Sequence, residues 1–90
     1  MKFYEVSIYD GDYFELIGAD DEEKAKEFLV KNLGYGYLNL EKEVKIRELS
    51  NEAKIKIQFD EGVAEKTVEE WLKFANYEDI NPYYFGGSDL

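Results

Sequence analysis

Two short acidic stretches, Asp10-Gly11-Asp12 and Asp20-Asp21-Glu22-Glu23, hold the residue types that bind hard cations or move protons. Oxygen-rich loops coordinate calcium when ligands alternate and a distant bidentate glutamate closes the shell, as in an EF-hand. Neither stretch has that alternation or that closing residue. Acid–base work by a carboxylate pair needs a deep cleft that raises one pKa by burial, and a domain of this size has little room for one. Outside tyrosine the only hydroxyls are Ser7, Ser50, Ser88 and Thr67, and there is no cysteine or histidine. No nucleophile–base pair of the usual kind can be assembled from them. The chain is therefore read as a non-enzyme with no catalytic residue, metal or cofactor.

The elements around these stretches explain them as structure. Ninety residues form one domain, 1–90, large enough to bury a core without metal or disulfide support. A hydrophobic content of 44% is too high for a disordered acidic chain. In the first 17 residues Tyr4, Val6 and Ile8 alternate with polar neighbours, and Phe14 and Leu16 do the same, which predicts a hairpin turning at Asp10-Gly11-Asp12. A three-residue loop pairs Val6 with Leu16 and Ile8 with Phe14. A two-residue turn would pair Val6 with Glu15 and mix the faces, so the first register is expected. Asp20 with Glu23 has capping-box spacing, Ala25, Phe28, Leu29 and Leu33 make one apolar stripe, and Gly34 supplies a stop, which predicts a first helix.

Residues 35–40 read as a short strand or an ordered connection. Val44 and Ile46, then Ile55, Ile57 and Phe59, predict a second hairpin turning at Ser50-Asn51-Glu52. Thr67 with Glu70 repeats the capping box, and Val68, Trp71, Leu72 and Ala75 repeat the stripe. The expected fold is an α+β two-layer sandwich, ββαββα, with a four-stranded, mainly antiparallel sheet and both helices on one face. Residues 77–90 form an aromatic tail in which Tyr83, Tyr84 and Phe85 pack onto the body before a flexible Gly-Gly end.

The charge is segregated along the chain. Residues 1–23 carry eight acids and one base (−7), residues 24–59 five acids and eight bases (+3), and residues 60–90 eight acids and two bases (−6), which sum to the net −10. Direct nucleic-acid binding needs cations against phosphate, so an excess of 21 acids over 11 bases excludes it. The opposite role fits. Asp20, Asp21, Glu22 and Glu23 at the first helix, with Asp60, Glu61, Glu65, Glu69 and Glu70 approaching and lining the second, merge into one negative surface if the strands before both helices end at the same edge. Glu65 and Glu69, four residues apart on a helix, would stand about 6 Å apart, near the spacing of phosphates along one strand. Such an array occupies the Lys/Arg groove of a nucleic-acid-binding protein, and exposed Tyr13, Tyr35, Tyr37 and Tyr84 supply anchoring area.

In size, acidity, tyrosine richness and lack of Cys and His, the whole chain resembles small phage- or plasmid-encoded anti-defence proteins, including anti-CRISPR and anti-restriction inhibitors. It is also similar to bacterial immunity proteins that neutralise basic nucleases. The resemblance is compositional and transfers no residue role. It implies an inhibitor whose partner is a basic nucleic-acid-binding protein, a CRISPR effector or other nuclease. The competing reading is an accessory interaction module, a homodimer through a sheet edge or the aromatic tail, in which charge serves solubility. The start, Met1-Lys2-Phe3, lacks a signal-peptide stretch and no run is long enough to span a bilayer, so a monomer or homodimer in the cytoplasm, away from membranes, is expected.

Overall fold

The computed structural model describes residues 1–9, 11, 13–59 and 61–89, with the side chains of Phe59, Ser88 and Asp89 excepted. Eight elements follow in the order ββαβββαβ: β1 (Lys2–Ile8), β2 (Tyr13–Ala19), α1 (Glu22–Lys31), β3 (Val44–Glu48), β4 (Lys54–Phe59), β5 (Gly62–Thr67), α2 (Val68–Glu78) and β6 (Tyr83–Asp89). The class is α+β, with a four-stranded antiparallel sheet in the order β3-β1-β2-β6 and a separate two-stranded sheet, β4-β5.

The first hairpin adopts the register that mixes residue types. Val6 faces Glu15, Ser7 faces Phe14 and Ile8 faces Tyr13, in place of the expected Val6–Leu16 and Ile8–Phe14 pairs. The expectation assumed that only one face is buried. Successive side chains on a strand point to opposite faces, and here both faces are covered. Tyr4, Val6, Ile8, Ile17 and Ala19 pack against Ala25 and Leu29 of α1, while Phe3, with Leu16 at its margin, packs with Ile57, Val68, Trp71, Ala75 and Phe85. With apolar cover on either side, alternation no longer selects the register. The helices accordingly lie on opposite faces, so the expected two-layer sandwich becomes three layers: α1, the sheet, and α2 with the β4–β5 hairpin.

The expected second hairpin also re-pairs. β3 joins β1, with Val6 opposite Ile46 and Ile8 opposite Val44, and β4 pairs with β5, Ile57 opposite Ala64. The next segment of chain, Gly62–Thr67, is a nearer partner for β4 than β3 is. The fourth place in the main sheet goes to the aromatic tail. β6 pairs with β2, and its register shifts between Leu16 and Ile17, with Phe85 as the extra residue. Tyr83 and Phe85 thus join Phe3 and Trp71 on the α2 face, with Phe85 stacked 4.7 Å from Phe3. Tyr84 turns to the α1 face beside Phe28.

Both helices start where polar side chains can satisfy their free amides. Thr67 and Glu70 form the complete capping box of α2. At α1 the cap is Asp21, whose carboxylate accepts from the Lys24 amide at 2.8 Å. The expected Asp20–Glu23 pairing is replaced, because Asp20 accepts from the Asn81 side chain at 3.0 Å. After α1, Gly34 takes φ +79, a conformation that glycine adopts without strain, and the Tyr35 amide reaches back to the Leu29 carbonyl at 3.2 Å. Residues 35–40 form an ordered connection that buries Leu38.

Candidate functional site

The strand ends decide where the acids meet. Lys2 at the start of β1 faces Ala19 at the end of β2, and Tyr4 faces Glu48 at the end of β3. Asp20, Asp21, Glu22 and Glu23 therefore leave the sheet at the same end as Glu48. The buried Tyr4 phenol registers this convergence. Burial, followed by the charges of Glu48, Asp21 and Glu22, raises its pKa.

The first turn of α2 approaches that end from the other face. The Glu69 amide donates to the Asn51 carbonyl at 3.2 Å, beside the chain that leaves β3. Glu69 stands free of the cap, 3.6 Å from Lys73. Glu70 is tied into the cap, and hydrogen bonds from the Thr67 amide and hydroxyl hold its pKa below the usual carboxylate value. Of the nine acids singled out in the sequence, Asp20, Asp21, Glu22, Glu23, Glu69 and Glu70 thus flank one end of the sheet. Glu65 does not join them on a helix: it lies on β5 opposite Lys56. The 6 Å helical spacing of Glu65 and Glu69 is therefore not formed, because the chain is extended up to Thr67 and turns helical only at Val68. Glu61 stands in the β4–β5 connection, at the opposite tip of that hairpin from Thr67. Asp60 falls outside the described residues, as do Asp10 and Asp12 of the first acidic stretch.

Cations temper the acidic end without cancelling it. Lys26 lies 3.9 Å from Glu22 and 3.7 Å from Glu23, Lys2 lies 3.9 Å from Glu48, and the N-terminal ammonium lies 3.9 Å from Asp20. All the side chains involved but the N-terminal residue's are at least one-third exposed, so these pairs are worth ~0.2–1 kcal/mol each and can be exchanged for a partner's cations. Among the described residues no group of three or more acids is close enough to hold a metal ion, and no helix is long and apolar enough to cross a membrane.

A second constellation occupies the α1 face. Glu15, only 9% exposed, sits mid-strand on β2 opposite Gly87. A Cβ on Gly87 would come within 2.6 Å of the Glu15 carboxylate and 2.9 Å of the Phe14 carbonyl, so the missing side chain makes the room in which Glu15 lies. Tyr35 donates to this carboxylate at 3.3 Å, and the Tyr84 phenol lies near enough for Glu15 to raise its pKa. The rings continue outward: Tyr35 to Tyr37 at 6.3 Å, Tyr9 donating to the Tyr37 hydroxyl at 3.3 Å, and Tyr9 edge-on to Tyr13 at 6.1 Å. Tyr13, Tyr35, Tyr37 and Tyr84, named from sequence as separate anchors, are thus one assembly. Tyr9 belongs to it too, and only its position at the end of the alternating run of β1 hinted at that.

Three of them, Tyr9, Tyr35 and Tyr84, titrate high. Burial raises Tyr35 and Tyr84, Glu15 adds to both, and the hydrogen bond to Tyr37 is the main cause that takes Tyr9 to about 12. In the unfolded chain they ionise near pH 10. The unfolded state therefore loses protons first, and the stability they contribute, fully present below pH ~10, is lost as pH rises toward the folded-state values. Base titration should show tyrosinate absorbance from Tyr35 and Tyr84 appearing together with loss of far-ultraviolet dichroism. Full tyrosinate absorbance at pH ~10 in a protein still folded would contradict this.

No family model, no curated protein and no solved structure matches the chain.

Proposed function

We propose that the protein is a non-enzymatic inhibitor that sets its acidic end against the basic nucleic-acid-binding surface of another protein, a CRISPR effector, restriction nuclease or nuclease toxin, in the cytoplasm of a host cell. The observation that supports this reading is that Asp21 and Glu22, just after β2, and Glu48, at the end of β3, leave the same end of the sheet, where their charges raise the pKa of the Tyr4 phenol, with Glu69 approaching from the opposite face. Helix-start preference explains acids at one N-terminus but not the addition of Glu48 from a strand end. A rigid, partly neutralised array of this kind steers a cationic partner and competes with phosphate for the same lysines and arginines. Immobilised protein should retain from a bacterial lysate, at low salt, a nucleic-acid-binding protein that DNA or RNA then elutes, with affinity falling steeply as salt rises. The combined variant Glu22→Gln, Glu23→Gln, Glu48→Gln, Glu69→Gln leaves both caps intact and should lose that protein while melting normally. Retention indifferent to salt, to nucleic acid and to the four substitutions would reject mimicry in favour of an accessory module with charge for solubility.

A further inference from the structure

We infer that the tyrosine face around Glu15 is a docking site for arginine side chains of a protein partner. It lies on the α1 face, separate from the acidic end, and goes beyond the proposed function by assigning a second surface and the side chain it takes. Three observations carry it. First, Tyr9, Tyr13, Tyr37 and Tyr84 are each more than a third exposed, Tyr37 71%; Tyr9 touches Tyr13 and Tyr37, Tyr37 touches Tyr35, and Tyr84 joins them through Glu15 and Tyr35, so they form one surface. A buried core would hold such rings out of water, whereas these are presented to it. Second, the surface surrounds a nearly buried carboxylate whose donor is a phenol. Among the described residues no lysine or arginine lies within ion-pair distance of Glu15 or of Glu43, whose charge also reaches Tyr9. Third, the protein's one arginine, Arg47, is committed elsewhere, 2.9 Å from Glu5. Aromatic faces around uncompensated negative charge attract a cation. Guanidinium fits better than ammonium, because it is planar, weakly hydrated, stacks on rings and donates in several directions to phenol oxygens.

The test is an NMR titration of the full chain with the peptide Arg-Gly-Gly-Arg-Gly-Gly and its lysine counterpart. The arginine peptide should shift the ring resonances of Tyr9, Tyr13, Tyr37 and Tyr84 and bind roughly fivefold or more tightly than the lysine peptide. Tyr13→Ala with Tyr37→Ala, both at exposed positions, should weaken it by a similar factor with the melting temperature little changed. Glu22→Gln with Glu23→Gln at the acidic end should leave the ring shifts intact, so failure of this site and failure of the acidic-end reading are told apart. Equal binding of the two peptides, shifts confined to the first turn of α1, or movement of the same rings by a neutral oligosaccharide but not by the arginine peptide would each overturn the inference.

Discussion

Replacing Trp71 with alanine lowers the unfolding free energy by ~3–5 kcal/mol and the melting temperature by ~12–40 °C. The indole is the largest of the fully buried side chains. It stands 6.2 Å from Phe85 and 6.5 Å from Phe74 in edge-on contacts, and its N–H donates to the Ile55 carbonyl of β4 at 3.0 Å. One side chain of α2 therefore ties together the helix, the β4–β5 hairpin and the strand that closes the main sheet. A chain of 90 residues has only ~5–13 kcal/mol of stability in total, so the loss is a large part of it. Trp71→Phe retains most of the apolar volume but removes the indole N–H bonded to the Ile55 carbonyl, and should cost ~0.5–1.5 kcal/mol. Hydrogen exchange locates the damage: in both variants the amides of β4, β5 and α2 should lose protection before those of β1 and β2, whose α1 face is packed independently. A melting temperature within a few degrees of the parent for Trp71→Ala would mean that the α2 layer is not integral to the fold.

The same residue marks how far the fold was legible in the chain. Thr67-x-x-Glu70 followed by Val68, Trp71, Leu72 and Ala75 specifies α2 locally, since capping and the helical stripe involve neighbours in sequence, and that helix forms where expected. β5 escaped notice because Gly62–Thr67 has no alternating apolar face: Val63 is exposed and only Ala64 and Thr67 are partly covered. β6 escaped notice because Gly86 and Gly87 interrupt the pattern that Tyr83–Phe85 begins, although the second glycine is what lets Glu15 lie flat between the strands. The register of the first hairpin departs from the one alternation selects because both faces of the sheet are covered, where alternation presumes that one is wet. The acids were legible as residue types, but their grouping depends on which strands end together. Glu48 joins the group for that reason, and the helical placement of Glu65 fails because the chain stays extended through Thr67. Glu15, between Phe14 and Leu16, reads in sequence as a solvent-facing alternate. Only the return of residues 35–37 after α1 and of β6 along β2 encloses it with tyrosines.

The second large effect concerns that returning strand. A chain ending at Pro82 should not fold cooperatively, because residues 83–89 are a strand of the main sheet and not an appendage. Without them β2 loses one of its two neighbours and exposes an edge of unpaired amides and carbonyls. Phe3 loses the ring stacked on it at 4.7 Å, and Trp71 loses one of its two edge-on partners. Removing the Phe85 ring alone is worth ~3–5 kcal/mol, so Phe85→Ala, with all backbone pairing retained, should already lower the melting temperature by ~12–40 °C. Truncation adds the loss of the β2–β6 ladder and of the Tyr84 and Gly87 environment of Glu15, leaving that carboxylate covered on one side by its donor Tyr35 alone. Summed, these losses reach the whole stability expected of a domain this size. Near-ultraviolet dichroism of the truncated chain should therefore be flat and its melt broad. A cooperative transition within a few degrees of the full chain would show that the β3-β1-β2 core and its two helices stand without β6, and that the strand's aromatics cover surface that needs no cover.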